Sequence, residues 1–204
     1  MSGTSQFTLG AEVSCTDGVC GKVISVVVDP VAKAVTLLAV EPKHRQGLAR
    51  FVPLELVDNT ATDEVRLRCT VAEFGKLDLA EEIRYLPGTE GGLGPVGMVG
   101  LDGNAGNFAQ PLVYDLVPSG EVEVRRGEPV HATDGEIGRV QGVLTDPAGH
   151  HITHVLLQEG HLWGRKQVAI PIGAVTEVAD GVHLRISKQE VQDLPQVDSE
   201  HPAG

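Results

Sequence analysis

The sequence predicts an all-β fold with short helices, built as two small β-barrels joined by a linker rich in glycine and proline. Two observations predict it. An ordered set of short motifs occurs twice in the 204 residues, at a constant offset of 117 or 118 positions. Each copy also divides into short apolar runs separated by turn signals, which is typical of small barrels. We therefore expect two like domains at 1–85 and 121–195, a linker at 86–120, and a disordered tail at 196–204.

The repeat is clearest at an aspartate-glycine pair. Asp17-Gly18 is followed by Gly21, and Asp134-Gly135 is followed by Gly138 in the same way. Aspartate and glycine tolerate positive φ, so the pair predicts a tight hairpin, and the later glycine indicates a bulge or a close backbone approach. The remaining matched positions are Asp29-Pro30 with Asp146-Pro147, His44 with His161, Val52-Pro53-Leu54 with Ile170-Pro171-Ile172, Val65-Arg66-Leu67-Arg68 with Val182-His183-Leu184-Arg185, and Leu77 with Leu194.

Each copy predicts a similar series of strands and a closing helical turn. Thr70 with Glu73, and Ser187 with Glu190, fit the capping box that begins a helix. Proline limits the expected strands at 51–53 and 169–171 to an edge or a strand end. The expected strands are 22–29, 34–40, 51–53 and 64–69 in the first copy, and 152–157, 169–171 and 181–186 in the second.

Composition excludes several classes of function. The net charge is −12, from 28 acidic and 16 basic side chains, and no basic run is present, so nucleic acid is not an expected partner. No apolar run approaches the roughly 18 residues of a membrane span, so no membrane insertion is expected. The start of the chain lacks the regions of a signal peptide, and three cysteines do not indicate a disulfide framework. We expect a soluble cytoplasmic protein.

The ordered motifs resemble the PRC-barrel family, named for the cytoplasmic barrel of the photosynthetic reaction-centre H subunit. The resemblance rests on the sequences DGVCGKV and DGEIGRV, VVVDP and VLTDP, VPLELV and AIPIGAV, and VRLR and VHLR. It covers about 9–77 and 126–194. It implies a barrel that acts as an assembly or regulatory module, as in the reaction-centre subunit, in ribosome-maturation factors and in many bacterial proteins. We expect the chain to differ from the first group by having no N-terminal membrane helix, and from the second by having two barrels and no preceding RNA-associated domain.

The cysteines raise the possibility of redox or metal chemistry. Cys15, Cys20 and Cys69, however, align in the repeat with Ala132, Ile137 and Ile186. Positions that are apolar in the other copy are expected to be core positions, where free cysteine behaves as a small hydrophobe.

Histidines are concentrated in the second copy. His150, His151 and His154 follow Asp146 and could offer ligands to a divalent metal. Strand alternation places His151 and His154 on opposite faces, so we favour solvated turn histidines and expect no cofactor.

The candidate contact surface is the loop between the expected strands at 34–40 and 51–53, with the equivalent loop between 152–157 and 169–171. Histidine recurs there in both copies, followed by basic residues and, in the second copy, by tryptophan, a composition enriched at interfaces. The alternative is that these loops pack on their own barrel or on the other copy. The predicted partner-contact residues are His44, Arg45, Arg50, His161, Trp163, Arg165 and Lys166.

The sequence contains no nucleophile elbow, phosphate loop or dinucleotide fingerprint. The carboxylates of Glu81 and Glu82 are expected at an exposed helical end. We therefore expect a non-enzymatic adaptor that acts through protein-protein contacts, including contacts with a second copy of itself. The alternative is a metal-, quinone- or redox-linked sensor, or an accessory to electron or proton transfer.

Overall fold

A computed structural model of the chain describes residues 5–43, 48–61, 63–86, 110–146, 148–159, 167–178 and 180–194. Within these ranges the chain forms strands β1 to β16 and two short α-helices. The predicted all-β fold with two barrel-like domains is confirmed. The predicted tail, and most of the predicted linker, lie outside the described residues.

The first copy contains seven strands and one helix. They are β1 Ser5–Thr8, β2 Glu12–Cys15, β3 Gly18–Asp29, β4 Ala34–Pro42, β5 Arg50–Pro53, β6 Val57–Thr60, β7 Glu64–Leu67 and α1 Val71–Phe74. A 3-10 turn at Leu54–Leu56 follows β5. The chain then forms a hairpin of β8 Glu81–Leu86 and β9 Gln110–Asp115.

The second copy repeats this series. Its elements are β10 Val122–Arg125, β11 Pro129–Ala132, β12 Gly135–Thr145, β13 Ile152–Glu159, β14 Gln167–Pro171, β15 Val175–Val178, β16 Val182–Leu184 and α2 Lys188–Gln192. A 3-10 turn at Ile172–Ala174 matches the one in the first copy. The strands β6 and β15, which follow these turns, were not predicted from the sequence.

The two copies form curled sheets of identical strand order. In the first sheet the order is β5-β4-β3-β2-β7-β6, and in the second it is β14-β13-β12-β11-β16-β15. Neighbours are antiparallel except for β2 with β7, and β11 with β16, which are parallel. Each sheet gains a seventh strand along its longest member, β3 or β12.

That seventh strand comes from the other copy. β1 pairs antiparallel with β12 of the second copy, with Phe7 opposite Val143. β10 pairs in the same way with β3 of the first copy, with Val124 opposite Val26. The copies therefore exchange their first strands, as two subunits do in a domain-swapped dimer, but within one chain. Strand pairing thus crosses the predicted domain bounds at two places, which the sequence analysis did not anticipate.

Two glycines mark the points where the chain crosses between sheets. The Leu9 amide still donates to Gln141 of the second copy, at 2.8 Å, whereas the next amide, of Gly10, donates to Val23 of the first copy, at 2.7 Å. Gly10 has a φ of 97°, which favours glycine. Gly127 repeats this geometry, with a φ of 83° and an amide that donates to Val140 at 2.9 Å.

The turns after β3 and β12 also meet each other. Ala34 and His151 form an antiparallel bridge, flanked by two equivalent hydrogen bonds. The Val35 amide donates to His150 O at 3.0 Å, and the Ile152 amide donates to Lys33 O at 2.8 Å. Each partner is the repeat equivalent of the other, so the bridge lies on an approximate twofold axis that relates the two copies.

The predicted hairpin turns are confirmed. Gly18 and Gly135 follow the aspartates at φ values of 156° and 126°. An added Cβ at Gly21 would come 2.1 Å from Glu41 O, and one at Gly138 would come 2.4 Å from Gln158 O. These positions require glycine because the next strand of each copy, β4 or β13, passes directly over them.

Both predicted capping boxes are also confirmed. The Thr70 and Ser187 hydroxyls accept from the amides of Glu73 and Glu190, whose carboxylates accept from the cap amides in return. A further bond, not predicted, ties each helix to the hairpin turn of its own copy. Asp17 accepts from the Val71 amide at 2.7 Å, and its equivalent in the second copy does the same for α2.

One cluster of buried side chains runs through both copies. It includes Phe7 and Val124, the central residues of the exchanged strands, at 1% and 4% exposure. Leu77 and Leu194, which match in the repeat, pack against this cluster. A smaller cluster covers the outer face of the first sheet, and Val117 packs against it.

The prediction of a helical end at Glu81 and Glu82 is wrong. Both residues lie in β8, where they pair with Asp115 and Tyr114 of β9. The predicted linker at 86–120 also overlaps this hairpin, because Leu86 is the last residue of β8 and Gln110–Asp115 form β9. Paired carboxylates on a short surface strand carry little sequence signal, since neither alternation nor capping distinguishes them from a helical end.

Candidate functional site

Of the seven predicted contact residues, the structure describes Arg50. The six others, His44, Arg45, His161, Trp163, Arg165 and Lys166, lie outside the described residues, so their grouping stays a prediction.

Arg50 is half-buried at the start of β5, opposite Val40 of β4. Its guanidinium donates to the Leu77 carbonyl, and its backbone forms a bridge with Leu79. The Ala80 amide extends the pairing by donating to Ala49 O at 2.8 Å. Arg50 therefore holds residues 77–80 against the edge of the first sheet. The Arg50 side chain thus contacts its own copy, and its part in a partner contact stays a prediction.

Exposed apolar side chains lie beside this edge. Leu79, Tyr114 and Leu116 are 38%, 42% and 40% exposed, and we call them the hairpin-base residues. They sit on neighbouring segments, because the Leu116 amide donates to Ala80 O at 2.8 Å. The sequence has an apolar run at 108–117, but no contact surface was predicted there. The sequence signal for this surface was an apolar run in a segment that has neither helical nor strand periodicity.

The surroundings of this hairpin are rich in charge. Arg125 of β10 forms ion pairs with Asp115 and Glu123. Glu123 also accepts from the Ser25 hydroxyl of β3, and the Thr36 hydroxyl donates to Glu121 at 2.9 Å. These bonds connect the two copies along the exchanged strand. They therefore add directional contacts to the backbone pairing.

The cysteines lie in the core, as predicted. Cys15, Cys20 and Cys69 are 8%, 4% and 6% exposed. They are free thiols that contact one another, and the Cys20 thiol also donates to Val13 O at 3.2 Å. Burial raises the pKa of Cys15 to about 12 and the pKa of Cys69 to about 11. Because thiolate is the reactive form, we expect these thiols to react slowly at neutral pH.

The histidines near Asp146 have separate structural partners. His151 Nδ1 lies 3.3 Å from Ala32 O of the first copy, and His154 Nδ1 lies 3.1 Å from the Thr153 hydroxyl. Asp146 accepts from the amides of Ala148 and Gly149, which closes its own turn. In the described part of the chain, no group of three or more His, Cys, Asp or Glu side chains is placed to hold a metal.

The prediction that these are solvated turn histidines is wrong for two of them. His154 is half-buried, and burial lowers its pKa. His150 has a buried Nδ1 that meets no hydrogen-bond partner among the described residues. The reason is tertiary in both cases: His154 lies within β13, between β12 and β14, and His150 lies beside the bridge that joins its turn to the equivalent turn of the first copy.

A further histidine pair was missed. His131 and His183 lie side by side on the parallel strands β11 and β16, with ring centroids 5.0 Å apart and planes 17° from parallel. The equivalent residues of the first copy are Ser14 and Arg66, so the pair is specific to the second copy.

The fold and these surfaces define an all-β protein of two interlocked barrel-like modules, with an exposed apolar hairpin base and three buried free thiols in its core. No protein-family model matches the chain, and no curated protein matches it. Neither helix in the described ranges is long and apolar enough to cross a bilayer.

Proposed function

We propose that this chain is a non-enzymatic binding or scaffolding protein of tandem PRC-type barrels, which acts through protein-protein contacts. The observation that carries the proposal is the exchange of β1 and β10 between the two sheets. Backbone ladders and a shared apolar core hold the copies in a defined arrangement. Such an arrangement suits a protein whose task is to present surfaces at fixed positions.

The hairpin-base residues support a contact surface on the first copy. These three exposed apolar side chains lie close to Arg50, which forms a backbone bridge with Leu79. They have the composition of interface hot spots, in which aromatic residues and arginine are enriched. Their neighbours along the chain include Asp78, Glu81 and Asp115, within a chain of net charge −12. We therefore propose a partner that offers an apolar contact within a basic surface, since complementary charge directs association.

The thiols support a role without covalent chemistry. A cysteine nucleophile needs an exposed and electropositive setting that lowers its pKa. Here burial raises the pKa of all three thiols.

The test is comparative affinity capture from the native host. Wild type, the double variant Leu79→Ser with Leu116→Ser, and the control Val71→Ser are used as baits. Val71 is 40% exposed on α1 and so matches the hairpin-base residues in exposure. We expect one partner with wild type and the control, and its loss with the double variant. Circular dichroism confirms that all three baits are folded.

Light scattering of the purified chain completes the experiment. A mass of twice 21.5 kDa would identify a second copy as the partner, and the double variant should then be monomeric. A monomeric wild type that captures no partner, or a partner that all three baits retain equally, would contradict the proposed surface. Arg45→Glu and Arg165→Glu test the predicted loops in the same assay.

A further inference from the structure

The second copy contains an apolar cavity of about 180 Å³ at the junction between the copies. Val143, Val155 and Val182 form part of its wall from within the second sheet. Val28 of β3 and Val124 of β10 contribute the wall on the side of the first copy. All five side chains are at most 4% exposed, so this inner part of the wall is built from core residues.

The internal repeat shows what such a space normally holds. The equivalent of Val124 is Phe7, on the other exchanged strand and in the same register. Phe7 is 1% exposed within the shared core, on a strand that lies against β6 of the first copy. The second copy therefore has valine where the first has a phenyl ring. Because folded interiors are close-packed, the missing ring leaves room that the neighbouring valines do not fill.

The size and lining define the class of molecule that fits. Cavities of about 150 Å³ lined by aliphatic and aromatic side chains stay dry and bind benzene. The polar groups near this cavity are Lys33, Thr176 and Glu177, whose residues are all exposed, so they lie towards its mouth. An apolar ring could occupy the interior while a small polar substituent faced these three side chains.

We propose that the second copy binds one small apolar ring compound, of about six to nine non-hydrogen atoms, in the place that Phe7 takes in the first copy. This site does not depend on the proposed protein contacts, and it is measured on the isolated full-length chain. Because its walls come from both copies, an occupant also stabilises the exchanged arrangement by mass action.

The experiment uses benzene and indole as probes. Calorimetry and thermal unfolding follow wild type, Val124→Phe and Phe7→Val. We expect wild type to bind one equivalent, with a Tm that rises and saturates with probe concentration. Val124→Phe should weaken binding at least tenfold, because the new ring fills the site. Phe7→Val should bind a second equivalent, because it opens the matching space in the first copy.

Partial variants keep the test valid if either substitution prevents folding. Val124→Leu should reduce indole binding more than benzene binding, and Phe7→Leu should gain weak additional binding. Absence of saturable binding to wild type would overturn the proposal. Equal binding by wild type and a folded Val124→Phe variant would overturn it as well.

Discussion

Gly142→Ala should weaken the pairing of the exchanged strand β1 with β12. Gly142 lies opposite Thr8, and an added Cβ would come 2.3 Å from Phe7 O and 3.1 Å from Thr8 Cα. A carbon and a carbonyl oxygen normally approach no closer than about 3.3 Å. β1 would therefore have to move by about 1 Å, or leave the second sheet.

The two responses bound the loss of stability. If β1 shifts and remains paired, overpacking costs about 1–3 kcal/mol. If β1 detaches, Phe7 leaves a site where it is 1% exposed, and the cost approaches the 3–5 kcal/mol typical of a buried phenylalanine cut to alanine. For a chain of this size, each kcal/mol lowers Tm by about 2–4 °C.

Urea unfolding measures the free energy, and Gly173→Ala is the control. Gly173 has no atom within 4 Å of an added Cβ, so its substitution should change stability by less than about 0.5 kcal/mol. Hydrogen exchange gives a local measure, because the Leu9 amide bonds across to Gln141 whereas the Gly127 amide bonds within its own copy. If Gly142→Ala matched the control in stability and in Leu9 protection, β1 would not be packed on β12 as described.

Three further predictions concern the thiols and the caps. Native protein should react slowly with a thiol reagent at pH 8, because burial raises the pKa of Cys15 to about 12 and that of Cys69 to about 11. All three cysteines should react after denaturation. A thiol in the native protein that reacts as fast as free cysteine would refute this. Thr70→Ala and Ser187→Ala should each lower the free energy of unfolding by about 1 kcal/mol in urea titrations, since both lose the same cap; unchanged stability in both would argue against the boxes. The Thr70 amide and hydroxyl hold the pKa of Glu73 below its ordinary 4.5. The free energy of unfolding of wild type should therefore exceed that of Glu73→Gln by its full amount above pH 4.5, and the excess should shrink as pH falls through the lowered pKa. An excess that is equal at pH 7 and pH 3 would count against this prediction.

The sequence by itself determined the parts of this protein that depend on local chemistry or on comparison between the copies. Asp-Gly pairs specify tight turns because few residues accept positive φ. Ser or Thr followed three residues later by Glu specifies a cap because the two side chains satisfy each other's amides. Cys15 was placed in the core because the other copy has Ala132 there.

Only the tertiary structure decided which sheet each first strand joins. β3 and β12 offer equivalent edges, and backbone hydrogen bonds to a strand are the same whichever copy supplies that strand. The exchange depends on the turn conformation at Gly10 and on the bridge between Ala34 and His151, where the turn after β3 meets the turn after β12. Neither feature is visible in a list of apolar positions. The cavity beside Val124 follows from the same choice, because a missing ring matters only once its neighbours in space are known.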